Sequence, residues 1–184
     1  MIASKRRDEI KEAIINLLEE CEIRKLPIDL QKILRVKGWF ACSFREASQI
    51  GLKPASQDGF TISRCREQGR EYIIFYNHLM PRSRLRWTIA HEIGHIVLEH
   101  ATMKPNLEVF ENEAHYFAKA LLAPVAVLGK LKTDTAESIA QICDISASAA
   151  EIRLRDYHRH CEFHQKYGYT ALDKKFLKQF LLSK

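Results

Sequence analysis

His91 and His95 are four positions apart, and Glu92 lies between them in the pattern His-Glu-x-x-His. On an α-helix, residues four apart lie about 40° apart around the axis and roughly 6 Å apart along it. Both imidazoles can then reach one metal ion, while the Glu92 carboxylate can take a proton from a water molecule that the metal activates. The pattern is typical of zinc hydrolases, and its chemistry requires the segment to be helical.

The segment that carries this pattern has the periodicity of an amphipathic helix. No proline interrupts the stretch from Trp87 to His100. Its aliphatic residues recur at steps of three and four, namely Ile89, Ile93, Ile96 and Val97. Gly94 lies inside this stretch, where glycine costs about 1 kcal/mol relative to alanine. We therefore expect a neighbouring side chain to pack close to the Cα of Gly94.

A catalytic zinc site usually has three protein ligands and one open position. We expect the third ligand on the next helix, which the pattern ENEAHYFAKALLAP predicts from Glu111 to Pro124. Glu111 and His115 share a face of this helix, whereas Glu113 points elsewhere. We choose Glu111 as the ligand and keep Glu113 as the alternative. Taken alone, Glu111 would be explained as an acidic residue in a first helical turn.

These two segments resemble the ImmA/IrrE metallopeptidases, a gluzincin-like family. Its members have R-x-R-F-T-L-A-H-E-L-G-H followed by E-x-x-A-N-x-F-A-x-x-L-L-M-P, and here the matching stretches are RLRWTIAHEIGH and ENEAHYFAKALLAP. Trp87 replaces the usual Phe, Ala123 replaces Met, and His115 replaces Asn or Asp. The family residue at the position of His115 orients a zinc ligand by a hydrogen bond. A histidine there could do the same, compete for the metal, or donate to the substrate carbonyl.

The resemblance implies an α+β fold with two parts. Residues 1–130 would form a zincin-like metallopeptidase domain with a small sheet and the His-Glu-x-x-His helix. Residues 131–184 would form a helical C-terminal region. The resemblance also implies a zinc endopeptidase whose substrate is a DNA-binding repressor with a helix-turn-helix, or an antitoxin-like regulator.

The expected mechanism places Zn²⁺ on His91, His95 and Glu111, with Glu92 as the catalytic base that later protonates the leaving amine. A second donor must stabilise the developing oxyanion. The sequence offers three candidates for it, His115, Tyr76 and Tyr116, and does not rank them. The alternative is a non-catalytic regulator that contains zinc and binds a protein or DNA through its C-terminal helices.

Composition, charge and cysteine content indicate the class of protein and its cellular location. The chain has 184 residues, a formal net charge of +6 and dispersed basic residues apart from the cluster Arg82–Arg86. We interpret that cluster as a solvated approach to the helix with one arginine paired to an acidic neighbour, or else as a rim that contacts substrate. The five scattered cysteines indicate reduced thiols. No stretch is apolar enough to span a membrane, so we expect a cytoplasmic protein without a membrane or direct nucleic-acid partner.

The residues before the motif predict helices and a small sheet. We expect a lead helix over residues 1–24, a second helix over Leu26–Lys37 entered through Pro27, a short strand near residues 39–44 and a helical turn over residues 47–51. Phe60–Cys65 and Tyr72–Tyr76 predict a hairpin. By analogy with zincin sites, the strand Tyr72–Asn77 is the candidate to pair with an extended substrate.

The residues after Pro124 predict helices of a different character. Thr135–Leu154 resembles a helix-turn-helix with a turn near Asp144, although we favour a helical hairpin with Arg153 on its outer face. Further on, His160 and His164 are four apart and Cys161 is adjacent. Because no carboxylate or second cysteine lies at a convincing spacing, we favour a polar helix over a second metal site. Ala171–Leu182 predicts a final amphipathic helix.

Overall fold

A computed structural model describes residues 2–54, 56–67, 69–100, 107–131 and 133–181, without the side chains of Arg66 and Leu181. The described chain is mostly helical with a small sheet, an α+β composition compatible with the expected zincin-like domain. In chain order its elements are α1 (Ser4–Glu20), α2 (Leu30–Lys37), β1 (Phe40–Ser43), α3 (Phe44–Gln49), β2 (Gly59–Arg66), β3 (Gly69–Tyr76), α4 (Arg82–Val97), α5 (Leu107–Leu122), α6 (Val125–Leu131), α7 (Ala136–Cys143), α8 (Ala147–Tyr167) and α9 (Ala171–Leu181).

The residues cluster into two compact units. One unit comprises Leu30–Ala118, and the other combines Met1–Asp29 with Lys119–Lys184. These units are sets of residues in mutual contact and not independently folding domains, so a domain boundary at residue 130 stays a prediction. The predicted last residue of α9, Leu182, lies outside the described residues.

The sheet of the Leu30–Ala118 unit has the strand order β1-β3-β2. β1 runs parallel to β3, with Phe40 opposite Ile73 and Ser43 opposite Tyr76. β2 runs antiparallel to β3 along its whole length. Over residues 73–76, β3 is therefore paired on both edges, whereas β2 has one unpaired edge in the described part of the sheet. The prediction that the Tyr72–Asn77 strand pairs with substrate is wrong, because its hydrogen-bonding groups are already used within the sheet.

Helix α4 packs against β2, β3 and α2, and this places the His-Glu-x-x-His residues beside the sheet. The first residues of β2 approach α4 closely at Gly59. A Cβ there would lie 2.5 Å from the Thr88 side chain and 2.8 Å from the backbone oxygen of Phe75. Only glycine fits this position, and its small size sets the distance between β2 and the catalytic helix.

The contact between α4 and α5 depends on Gly94, as the sequence predicted. A Cβ on Gly94 would lie 3.1–3.2 Å from atoms of Phe117, whose side chain is fully buried. The aromatic ring therefore packs directly on the helix backbone at Gly94. This close approach brings Glu111, which lies between one and two turns before Phe117 on α5, near His91 and His95.

The starts of α2 and α4 differ from the sequence-based prediction. α2 begins at Leu30 and not at Leu26, because residues 25–27 form a bend that takes up the predicted first turn. α4 begins at Arg82 after Pro81, so the arginine cluster lies in the first turns of the helix and not before it. Arg84 forms an ion pair with Asp58, as the simpler interpretation of that cluster expected.

The other unit is helical. α1 packs on α9, α6 on α8 and α9, and α7 on α8. Thr135 and Ser146 cap the N-termini of α7 and α8, and Asp144 takes a left-handed conformation between them. The turn lies where the sequence predicts it, and α8 then continues through Tyr167. The resemblance of this pair to a helix-turn-helix stays a prediction.

Arg153 is buried, so its predicted place on the outer face of α8 is wrong. Its side chain is 6% exposed, donates to the backbone oxygen of Ala123 and lies 3.0 Å from Asp156. Asp156 also pairs with Lys119 at 3.0 Å and with Arg159 at 2.8 Å. Burial alone would raise the pKa of Asp156, but the hydrogen bonds and charges of Lys119 and Arg153 together hold it below its usual value. The ion pairs of Asp156 on α8 therefore stabilise contacts within this unit.

Among the described residues, none of the helices combines the length and hydropathy that a membrane crossing needs. All five cysteines are free thiols: Cys21 and Cys143 are buried, Cys42 and Cys161 are half-buried, and Cys65 is exposed. The prediction of reduced thiols agrees with these positions.

Candidate metal and catalytic site

Three of the predicted site residues converge where α4 faces α5. The Nε2 atoms of His91 and His95 are 3.0 Å apart. Glu111 places Oε2 at 3.2 Å from His91 Nε2 and Oε1 at 3.4 Å from His95 Nε2. Glu111 lies one turn into α5 and not in its first turn, because the helix begins at Leu107. The first-turn dipole effect therefore does not explain its position, and its contact with the two histidines does.

The geometry of these donors fits a divalent transition metal. Ligand atoms placed about 2.0–2.1 Å from a tetrahedral zinc ion are roughly 3.3–3.4 Å from one another. The observed separations of 3.0, 3.2 and 3.4 Å are close to this spacing. Nitrogen and carboxylate donors together suit zinc and related metals, and this set leaves a tetrahedral position open.

The electrostatics of the two histidines also suit metal binding. Burial, together with the charges of His95, His115 and His100, lowers the pKa of His91 to about 3. Burial and the charges of His100 and His115 lower the pKa of His95 to about 4. Both imidazoles are thus neutral at pH 7, which is the form that offers a lone pair to a metal.

A chain of hydrogen bonds behind His95 fixes which nitrogen faces Glu111. His100 Nδ1 lies 2.9 Å from His95 Nδ1, and His100 Nε2 lies 3.2 Å from Glu113 Oε2. The consistent assignment has His95 Nδ1–H donating to His100, and His100 Nε2–H donating to the Glu113 carboxylate. His95 Nε2 then keeps its lone pair for a metal, an arrangement common behind metal-binding histidines. Glu113 therefore lies behind the site, and Glu111 lies in it.

The end of α4 explains how His100 reaches His95. The helix ends at Val97, and Glu99 follows with φ of 58°, a left-handed conformation that few non-glycine residues adopt. The ring of His100 stacks on Phe110 of α5, with centroids 4.4 Å apart and planes at 8°. This role of His100 could not be predicted from the sequence, because it depends on a turn conformation and on a contact with another helix.

Glu92 lies beside the three donors and is 7% exposed. Thr61 of β2 donates a hydrogen bond of 2.7 Å to Glu92 Oε2. Burial raises the pKa of Glu92 to about 7, although the bond from Thr61 lowers it, and the negative charge of Glu111 adds to the rise. A carboxylate with a pKa near neutrality can both accept and return a proton at physiological pH. The positive charge of a bound metal would lower this pKa.

His115 is close enough to join the donor set. Its ligand atoms and those of His91 and Glu111 all lie within 4.8 Å of one another. The side chain is exposed, its ring lies 4.6 Å from that of His91, and it stacks on Trp87 at 6.0 Å. Unlike the family residue at this position, His115 thus points a possible ligand at the metal position itself.

Two cavities flank Glu92. One, of about 340 Å³, is lined by Thr61, Tyr72, Glu92, His95 and the apolar side chains Phe60, Ile96, Leu107 and Phe110, among others. The other, of about 250 Å³, is lined by Arg84, Trp87, His91, Glu92, Glu111 and His115, among others. Of the three oxyanion candidates, only His115 lines either cavity.

The family assignment rests on a comparison with protein-family models. The model of the Peptidase M78 family, described as an IrrE N-terminal-like domain, matches residues 46–155, more than half of the chain. The chain belongs to the Peptidase M78 family. Membership confirms the resemblance drawn from the two motif segments and supports a metallopeptidase-like hydrolase function in general. No curated protein was found to match this Peptidase M78 chain.

Proposed function

We propose that the protein is a zinc-dependent endopeptidase, with His91, His95 and Glu111 as the metal ligands and Glu92 as the catalytic base. The observation that carries this proposal is the position of Glu92. Its buried carboxylate lies next to three converging donor atoms and lines the two cavities described above. A structural metal site would have no need of an unliganded buried carboxylate, whose burial is costly without a partner.

The chain's own groups supply the proton transfers. A bound zinc ion would polarise the scissile carbonyl and lower the pKa of the attacking water. Glu92 takes a proton from that water and returns it to the leaving amine. The bond from Thr61 holds the carboxylate in place and leaves its other oxygen, Oε1, for the proton transfer. His115 is the candidate second donor to the oxyanion, since it lines the polar cavity together with Glu92.

Within the described part of the sheet, one edge of β2 is unpaired, and this edge is the best place for an extended substrate. β2 supplies Thr61 to Glu92, and its residues Phe60, Thr61 and Ser63 line the larger cavity. A peptide added to this edge would form main-chain hydrogen bonds and direct alternate side chains towards the site. The apolar wall formed by Phe60, Ile96 and Phe110 favours a large apolar side chain next to the cleaved bond.

The substrate is proposed from the family resemblance, namely a helix-turn-helix repressor or an antitoxin-like regulator in the cytoplasm. The test is to co-express the chain with a candidate helix-turn-helix regulator from the same genome and to follow the intact mass of that protein. We expect one or a few defined cuts with the native chain and none with Glu92→Gln. Cleavage by both would remove Glu92 from the mechanism, and cleavage by neither would remove that protein as the substrate.

One observation favours a second candidate function, a non-catalytic zinc-containing regulator that acts through its C-terminal helices. If His115 binds the metal, the site has four protein ligands and no open position, which is typical of structural zinc. Replacing His115 by Asn separates the two functions. Unchanged zinc affinity supports the peptidase, whereas a large loss of zinc affinity in a protein that cleaves no substrate supports the regulator. Binding of DNA by the regulator would show a steep dependence on salt concentration.

A further inference from the structure

A second group of potential metal ligands lies within the helical unit, between α8 and α9. His164 Nε2 is 3.3 Å from His160 Nδ1 and 3.2 Å from Asp173 Oδ2, and His160 Nε2 is 3.9 Å from Asp173 Oδ1. One ligand atom from each of these three side chains lies within 4.8 Å of the other two. The sequence disfavoured a metal here because no carboxylate lay at a suitable spacing. The turn after Gly168 supplies one, since it brings Asp173 of α9 back to α8.

The hydrogen bonds around His164 and Asp173 leave lone pairs directed at each other. His164 Nδ1 lies 2.6 Å from the backbone oxygen of Gly168, which can only accept, so Nδ1 carries the proton. The other ring nitrogen, Nε2, faces Asp173 Oδ2 at 3.2 Å. The Thr170 backbone N–H donates to Asp173 Oδ2 at 3.1 Å, and the Thr170 hydroxyl also donates to it. Two acceptors this close require a cation or a proton between them.

His160 adds a third donor through its Nε2 atom, since it is Nδ1 that faces His164. Its Nε2 atom is buried and has no hydrogen-bond partner in the described part of the chain. Burial lowers the pKa of His160 to about 4 despite the charge of Asp173, so the ring is neutral at pH 7. The side chains of His160, His164 and Asp173 are 15%, 8% and 7% exposed. A polar group buried in this way is costly unless it has a partner.

We propose that His160, His164 and Asp173 bind a second divalent transition metal, with zinc the best match to two imidazoles and a carboxylate. A metal-binding histidine usually donates its other ring nitrogen to a carbonyl or carboxylate, as His164 does to Gly168. The metal crosslinks the end of α8 to the start of α9. This site is distinct from the peptidase site and does not depend on that proposed function.

The consequence of the crosslink is the anchoring of the last helix. α9 packs on α1, where Lys175 pairs with Glu12 at 2.7 Å and Gln179 donates to the backbone oxygens of Leu18 and Ile23. Because a metal that binds only the folded state stabilises it, zinc at this site would hold α9 against α1 and α8.

The test counts zinc in the full-length protein after dialysis against buffered Zn²⁺. We expect about two ions per chain in the native protein, and about one in both His160→Gln/His164→Gln and His91→Gln/His95→Gln. His158→Gln is the matched control, because His158 is an exposed histidine on the same helix, and it should keep two. An equal zinc content in the native protein and in His160→Gln/His164→Gln would overturn the proposal.

A second measurement covers the case in which the double variant folds poorly. Asp173→Asn keeps an oxygen that can accept from Thr170 but loses the charge. In the His91→Gln/His95→Gln background, added Zn²⁺ should raise the Tm, and it should no longer do so once Asp173→Asn is added. An equal rise in Tm with and without Asp173→Asn contradicts a metal at this position.

Discussion

Replacing Glu113 by Gln tests whether the second carboxylate of α5 orients a metal-binding histidine or binds the metal itself. Glu113 and His100 are both 6% exposed, and they are linked at 3.2 Å. Gln keeps an oxygen that can accept from His100 Nε2–H and removes only the charge. Changes to the partners of metal-binding histidines cost about 10–100-fold in metal affinity. We expect the lower end, roughly tenfold or about 1.4 kcal/mol, since one hydrogen bond is kept.

His100→Phe should lower the zinc affinity more than Glu113→Gln does. Phe can keep the stacking on Phe110 at this position, but it leaves the His95 Nδ1–H buried without an acceptor. An unpaired buried donor costs about 1–3 kcal/mol, which corresponds to roughly ten- to a hundredfold in zinc affinity. Glu108→Gln is the matched control, because Glu108 is an exposed acidic residue on the same helix, and it should leave the affinity unchanged.

The assay is competition for Zn²⁺ with a chromophoric chelator, together with thermal unfolding in excess chelator to detect any general loss of stability. Zinc affinities of Glu113→Gln and His100→Phe within twofold of the native value would refute the role of this hydrogen-bond chain. A larger loss for Glu113→Gln than for Glu111→Gln would show instead that Glu113 is the ligand.

Three further predictions concern the packing of helix glycines, the catalytic base Glu92 and the dependence of stability on pH. Gly94→Ala should lower both stability and zinc affinity, because the added methyl group presses on Phe117. Gly129→Ala is the control, because its methyl group meets only ordinary contacts. It should raise the unfolding free energy, measured by chemical denaturation, by about 0.5–1 kcal/mol. Thr61→Val should lower kcat/KM roughly ten- to a hundredfold and shift the acidic limb of the pH–rate profile to higher pH, because it removes a bond that lowers the pKa of Glu92. An unchanged profile would exclude Thr61 from orienting the base. In excess chelator, stability should fall as pH drops from about 6.5 towards 4, because the unfolded chain protonates three histidines more readily than the folded protein does: His91, His95 and His160.

Glu92 opposes this pH trend but does not reverse it. Its pKa is raised to about 7, so the folded protein takes up one proton more readily than the unfolded chain between about pH 7 and 4.5. The three histidines act in the other direction over most of that range. A Tm in chelator that rises steadily on acidification from pH 6.5 would contradict the burial of neutral histidines at both sites.

The parts of the site that lie on one helix could be predicted from the sequence. The spacing of His91 and His95 and the apolar periodicity around them depend only on helix geometry, and α4 has that geometry. The glycine inside that helix indicated a close neighbour, which is Phe117. Glu111 could be chosen over Glu113 because of the helical face it shares with His115.

The parts that depend on distant contacts could not be predicted. Thr61 reaches Glu92 across 31 positions of the chain, through a sheet whose strand order the sequence does not reveal. His100 reaches His95 only because Glu99 adopts a left-handed conformation. Asp173 joins His160 and His164 only because the turn after Gly168 reverses the chain. In each case the deciding information is a turn or a packing contact and not a residue spacing.

The most direct test of the proposed mechanism is to measure zinc content and peptide cleavage in one preparation of Glu92→Gln beside the native protein. Gln fills the same space and can still accept the hydrogen bond from Thr61, but it cannot take up a proton. We predict native zinc content together with a loss of cleavage of roughly 10²–10⁴-fold. Cleavage at the native rate with native zinc content would contradict the role of Glu92 as the catalytic base.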